Sequence, residues 1–447
     1  MKHTKNLALL FFVATFCTGT CPLPEMVFAQ TGSNGICTST TGCTVGPSGA
    51  FIDATPYAST SSSICATIFR ILTGASPAFI PGSTIDARGL NSTNTKATGS
   101  VLTCTASTTD TPWSQNTSST TNASTILLPA GTIQIAYKWA LPNGTRIIGE
   151  GAGSTSSSAT LIEATSTIAS GFVLQMGASC PSAGCTNIGI ENLSLKGNGV
   201  AGVGGITNSL SHELSYVRQV NLFGINGTGL LVTTGSVNSG PYTNIIFTAA
   251  ASTSVCAQIS GAPTSTRGIR GLRCLGNGQQ PTNAVFLDAP NNSIEDVEIA
   301  GTTNGITVGQ NFAVQSAALR NISGGSGVTN LIQISNAHTV SDLAIMDVSK
   351  NGATNAIEDE ETLPASNQLI TDPSVGIYVI GEQMGTAAAY SRFTTSPSAN
   401  VVTWSTGNTA LTVGSTCPST GSMYSNTQGA TGSTWFACAG GKWADIK

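Results

Sequence analysis

The chain has 447 residues, of which 9% are charged, 6% are aromatic and 51 are glycine. Soluble proteins average about 25% charged residues, so this composition argues against an α-helical enzyme or a coiled coil. The 17 Lys and Arg against 21 Asp and Glu leave a net charge of -4, and no stretch gathers basic residues into a stripe that could follow a phosphate backbone, so nucleic acid is not an expected partner. The hydrophobic 40% comes in short runs, as many short buried strands would give. A soluble, all-β, Gly/Ser/Thr-rich protein is expected.

In chain order, Lys2, His3 and Lys5 precede an apolar run at 7–16, and Val27, Phe28 and Ala29 form a small-residue cleavage site. These are the three parts of a secretory signal, which sets residues 1–29 aside and predicts a secreted or cell-surface protein with no membrane span once the signal is removed. A membrane-spanning anchor would need an apolar run about twice as long. Residues 30–124 read as a lead-in segment ending in a Ser/Thr/Asn-rich loop around Trp113. Of the 12 cysteines, those beyond the signal fall as chain neighbours, which suggests local disulfides: Cys37 with Cys43, Cys65 with Cys104, Cys180 with Cys185, Cys256 with Cys274, and Cys417 with Cys438. Spacing alone does not fix that connectivity. No cluster of CxxC and His type marks a metal site.

Residues 125–380 carry two interleaved strand signals. One starts at Ile206, Leu230, Val255, Val285, Ile306, Ile332, Ile357 and Ile377. The other runs through 190–197, 217–224, 243–247, 269–276, 294–301 and 340–346, with a polar or glycine residue between its apolar halves: Asn192, Gln219, Asn244, Gly271, Asp296 and Asp342. Asn, Asp and Gly tolerate left-handed backbone, so each is expected at a corner between two short strands. Three short strands per coil of roughly 20–30 residues, each pairing with its counterpart one coil later, predict a right-handed parallel β-helix. Residues 381–416 read as a linker or irregular strands, and 417–447 as a small disulfide-closed β module with Trp435, Phe436 and Trp443 as its minimal core.

The segments at 126–135 (ILLPAGTIQI), 141–153 (LPNGTRIIGEGAG), 159–164 (ATLIEA) and 187–199 (NIGIENLSLKGNG) resemble the opening coils of the pectate-lyase-like, polygalacturonase-related β-helix family. Upstream, 51–57, 64–69 and 84–89 resemble the lead-in of secreted bacterial members. The resemblance implies the fold and a polysaccharide partner. It does not transfer chemistry, because the Asn-Thr-Asp, Asp-Asp, Gly-His-Gly and Arg-x-Lys motifs of the hydrolases are all missing, and His212 and His338 are the only histidines beyond the signal. The glycine-rich 149–153 reads as a solenoid turn rather than a phosphate loop.

Strand parity gives the outward positions of the first series: Thr207, Leu231, Cys256, Phe286, Thr307, Gln333, Glu358 and Tyr378, then Asp288, Ser335 and Glu360 two residues on from three of them. Glu358 and Glu360 are the candidate catalytic pair, their backbones about 6.7 Å apart on one strand, a separation at which one carboxyl protonates a leaving oxygen and the other activates water. Gln333, Ser335, Tyr378, Phe286 and Asp288 are expected to contact substrate beside them. Arg273 and Glu298, on adjacent coils of the second series, form an alternative contact face. No cofactor is expected apart from a calcium ion at the acidic run 355–361, which also reads simply as a solvated face. One inconsistency stands: parity turns Cys256 outward and Cys274 inward, although the two are expected to bond.

The expected function is a secreted polysaccharide-contacting β-helix protein, with glycoside hydrolase or polysaccharide lyase activity as its catalytic form. The alternative is a non-catalytic adhesion protein with the solenoid as stalk. Flat solenoid ends leave an oligomer open.

Overall fold

The computed structural model describes residues 36–37, 51–73, 81–105, 110–113, 123–153, 159–178, 180, 184–233, 238–261, 266–359, 378–380, 404–407, 411–417, 423–426 and 435–445. The expected signal, Cys43 and Glu360 lie outside the described residues.

One face of the molecule is a parallel sheet of nine strands, here the front sheet. It runs from Trp139–Leu141 and Gly171–Met176 through Val203–Asn208, Thr228–Val232, Val255–Ser260, Asn283–Asp288, Asn304–Val308 and Asn330–Ile334 to Asn355–Asp359. Each strand pairs only with its counterparts one coil away, the arrangement of a solenoid.

Between front strands the chain passes through a longer strand that bends, and that bends twice in Val314–Gly324 and Val340–Ser349. These are Gly189–Lys196, Tyr216–Ile225, Tyr242–Ala249, Ile269–Leu275, Ser293–Ala300, Val314–Gly324 and Val340–Ser349. At the bends sit Asn192, Gln219, Asn244, Gly271, Asp296, Asn321 and Asp347, with φ of 56°, 53°, 54°, 70°, 56°, 51° and 55°. The corner positions expected from the sequence are thus left-handed, and their two flanking halves give each coil its second and third faces. Gly271 has a further reason to lack a side chain, since a Cβ there would lie 2.6 Å from the Asn244 Oδ1 of the preceding coil. Asp342 is a correction. It is left-handed (φ 52°), but pairing of Gln315 with Ser341 and Ala317 with Leu343 sets it opposite Ser316 in an earlier corner, while Asp347 continues the main column.

The chain is therefore an all-β parallel β-helix. Its interior is built from columns such as Ile190, Val217, Tyr242, Ile269, Ile294, Leu319 and Ile345, stacked coil on coil and each no more than 1% exposed. Burying one such side chain is worth about 1.5–3 kcal/mol, so a carboxylate at Ile294 would break its coil. Parallel pairing also runs on toward the N-terminus through Ser124–Leu127, Ser83–Asp86 and Phe51–Asp53, so coils begin before residue 125. The helix Ile64–Leu72 opens on Ser63, whose Oγ accepts from the Ala66 N–H at 2.9 Å, and its apolar side joins the same core.

At the entrance to the front sheet, Asn283, Asn304, Asn330 and Asn355 stack directly. The Nδ2 of each later residue donates to the Oδ1 before it, at 3.1, 3.1 and 2.8 Å.

Four of the expected disulfides are formed: Cys65–Cys104, Cys180–Cys185, Cys256–Cys274 and Cys417–Cys438. They resolve the inconsistency at Cys256 as an error of register. Gln258, not Cys256, pairs with Leu231 and Phe286 on the outward side. Cys256 lies opposite Gly229, where a Cβ would strike the buried Phe247 ring at 2.5 Å, so this position faces inward. Cys256 and Ala257 both enter the core because the chain is still turning there, and Cys256 meets inward-facing Cys274.

The C-terminal module contains Trp404–Gly407, Met423–Asn426, Trp435–Ala439 and Lys442–Asp445, the last three antiparallel. Phe436, Trp443, Cys417 and Cys438 form its core, with Tyr424 packed against them, whereas Trp435 is 38% exposed. No helix among the described residues is long and apolar enough to cross a membrane.

Candidate functional site

Strand register builds a continuous column on the outward side of the front sheet: Ala140, Gln175, Thr207, Leu231, Gln258, Phe286, Thr307, Gln333 and Glu358. Their chain neighbours Leu174, Ile206, Leu230, Ala257, Val285, Ile306 and Ile332 are in the core, and alternation along each strand turns the column away from it. Of its amides and hydroxyls, Gln175 and Gln258 are half-buried, whereas Thr207, Thr307 and Gln333 are 8%, 0% and 9% exposed. Thr307 Oγ1 donates to the Asn283 Oδ1 of the asparagine stack at 2.8 Å, tying the column to the entrance of the sheet.

Of the expected site residues, Phe286, Gln333 and Glu358 fall on this column, with Gln333 paired between Thr307 and Glu358. Phe286 and Glu358 are half-buried and Gln333 is 9% exposed. Ser335 is buried, its Oγ accepting from the Ala337 N–H at 3.2 Å. Asp288 is wholly buried. Its carboxylate accepts from Asn311 N at 3.0 Å and Asn311 Nδ2 at 2.6 Å, and from the Gln310 and Phe312 amides. Burial pushes this carboxyl above its ordinary range despite those bonds. Asp288 thus organises the loop of the next coil and is not open to a ligand. Tyr378 is a correction: the strand Tyr378–Ile380 pairs with Ala344, Ile345 and Met346 of a bent strand, so it belongs to another face and does not adjoin Glu358 on the front sheet. The pairing of Glu358 with Glu360 lies outside the described residues.

Arg273 and Glu298 do meet, Nε to Oε2 at 3.0 Å, with both side chains about half exposed. They line a shallow concavity of about 340 Å³ with Asp296, Asn321 and Ser323. The charges there already satisfy one another: Asp296 accepts from Asn321 at 2.8 Å and pairs with Arg270 at 2.9 Å, and these contacts hold its carboxyl below the usual range. Glu191 is likewise enclosed, by Arg146, Arg218 and the Tyr216 hydroxyl.

A larger and more enclosed site lies at the start of the column. A cavity of about 430 Å³ is lined by Tyr137, Lys138, Thr167, Ser170, Gln175 and the alanines among them. Its cation is positioned by an absence: Gly171, at φ 72°, leaves room for the ammonium, since a Cβ there would lie 2.9 Å from Lys138 Nζ. Among the described residues no carboxylate pairs with Lys138; those pairing with Lys or Arg have other partners. A half-buried ammonium beside a phenol, hydroxyls and an amide is suited to an oxygen-rich anionic ligand. Sequence reasoning passed over this site because its parts come from 136–140, 167–170 and 175–178. The Tyr-Lys-Trp run just ahead of the first front strand was its only local signal.

Among the described residues no three His, Cys, Asp or Glu side chains gather as a metal site would require, so no step is assigned to calcium.

No protein-family model matches the chain, and no curated protein sequence does. Among solved structures it is similar to the A-module of mannuronan C-5 epimerase AlgE4 from Azotobacter vinelandii, with 14% identity over 60% of this chain and 91% of that one and a TM-score of 0.26. The strand register above is what defines the fold of this chain.

Proposed function

We propose that this is an exported protein that binds an acidic polysaccharide across the outward side of the front sheet, anchored in the cavity lined by Lys138, Tyr137 and Gln175. The observation that carries this reading is an ammonium that has no carboxylate partner among the described residues, held in a cavity whose other polar groups are hydroxyls and amides. Gln175 and Gln258, the half-buried amides of that column, would add hydrogen bonds to sugar hydroxyls. The disulfides fit an oxidising compartment.

Affinity electrophoresis through gels containing polygalacturonate, alginate, hyaluronan, dextran or hydroxyethylcellulose tests it. At least one acidic polymer should retard the protein, and Lys138→Met should release it by roughly tenfold or more in affinity, as expected for a charge-assisted contact. Equal mobility in every gel, or full retention of Lys138→Met, would end the reading.

A catalytic version rests on Glu358, which stands on the same column next to Gln333. With Glu360 as second carboxylate it would act as a glycoside hydrolase or lyase. Glu358→Gln and Glu360→Gln would then each lower product formation by about 10² or more. Unchanged binding, with no product formed by the parent protein from any retained polymer, would leave the non-catalytic, adhesion-type role.

A further inference from the structure

Two loops that leave the front sheet on successive coils bring Phe312 and His338 together. Their rings stack at 6.5 Å between centroids and 16° between planes, and Phe312 remains 45% exposed beside the exposed amides of Gln310 and Asn336. The loop carrying Phe312 is fixed from beneath by Asp288, whose buried carboxylate holds Asn311 through both its backbone and its side chain. A large apolar ring kept in water on a pinned loop, with hydrogen-bonding amides at its rim, has the makeup of a sugar contact. The polarised C–H bonds of a pyranose face are attracted to the negative face of an aromatic ring, and its hydroxyls reach the rim.

We propose that Phe312, backed by His338 and positioned by Asp288, is a second contact for the polysaccharide whose first contact is the Lys138 cavity; the inference rests on that reading. Lys138 stands just before the front strand of its coil and Phe312 just beyond the strand Asn304–Val308 six coils on, counted Ala140 to Gln175, Thr207, Leu231, Gln258, Phe286 and Thr307. The two contacts therefore flank opposite edges of the front sheet and are about 29 Å apart along the stacking direction. A single sugar chain of several residues spans that distance and a trisaccharide does not.

The test measures binding of polygalacturonate and alginate, and of their trisaccharides, to the full chain by calorimetry. Phe312→Leu keeps the apolar bulk but removes the ring, and should weaken binding of the retained polymer roughly three- to tenfold. Phe312→Trp should restore it. Trisaccharide binding should be unchanged by Phe312→Leu and lost in Lys138→Met. Asp288→Asn, acting only through the loop, should reproduce the polymer-specific loss. Polymer affinity unaltered in Phe312→Leu while Lys138→Met lowers it would overturn the second contact and leave the first standing. Absence of binding by the parent protein to either polymer would overturn both.

Discussion

Asn208 and Tyr242 meet inside the solenoid, where Asn208 Nδ2 donates to the Tyr242 phenol oxygen at 2.8 Å with both residues wholly buried. The same oxygen lies 2.8 Å from Ser239 Oγ, and Asn208 closes the 208–211 turn through bonds to the Ser211 backbone in both directions at 2.9 Å. Burial pushes the phenol up to about 12, so it stays protonated and able to donate. Tyr242→Phe removes one atom from this network and takes one hydrogen bond from each of two buried partners, Asn208 and Ser239. A loss of about 1–3 kcal/mol in denaturant unfolding is expected; an unchanged midpoint would mean the network contributes nothing.

The corner column predicts an order among substitutions at Gly271. Alanine there must adopt a left-handed backbone at a cost of about 1–2 kcal/mol and also displace the Asn244 side chain. Asn, which neighbouring coils use at the same place, tolerates that backbone. Thermal unfolding should therefore rank the parent highest, Gly271→Asn next and Gly271→Ala lowest. Reversal of the last two would refute the conformational argument.

Asp288 gives a pH signature with a definite sign. Its folded-state pKa is raised by burial, so the folded chain holds this proton more tightly than the unfolded chain does. The associated stability is fully present below the ordinary carboxylate range and is lost as pH rises through the elevated folded value. Measured against Asp288→Asn, which cannot ionise, the parent protein should gain Tm on acidification from neutrality into that range. A relative loss would show that the loop bonds outweigh burial.

Much of this was readable in advance where the chain leaves little choice. Left-handed corners accept few residues, so Asn192, Asn244, Gly271 and Asp296 mark the coils plainly. Asp342 was set in the wrong column because the strand Val340–Ser349 turns twice, at Asp342 and at Asp347, and each acid looks like the corner. Alternation failed at Cys256 because two successive residues enter the core where the chain is turning. Tyr378 was placed by spacing alone, which cannot say which face a strand returns to. The Thr-Asn pairs at 282–283, 303–304, 329–330 and 354–355 were a visible repeat that a search for apolar alternation passes over. The Lys138 cavity was beyond reach, since it exists only once separate coils are stacked.

Reduction should act unevenly along the chain. Among the described residues the buried centre of the C-terminal module is Phe436, Trp443 and the Cys417–Cys438 bridge, a small core, whereas Cys256 and Cys274 lie within a core running through the stacked coils. Limited proteolysis under reducing conditions should remove the module and spare the coils. Prompt digestion of both together would contradict this.

The asparagine stack has a consequence for how such a chain can grow. Asn304 and Asn330 each pass a hydrogen bond to the coil before and receive one from the coil after, so each of these coils offers its neighbours the same pair of complementary edges. A copy of the segment from Asn304 to the residue before Asn330, inserted in tandem, would find a donor waiting on one side and an acceptor on the other. Length is then a quantity that duplication can adjust by whole coils, and with it, under the function proposed above, the number of sugar units a single molecule would hold at once.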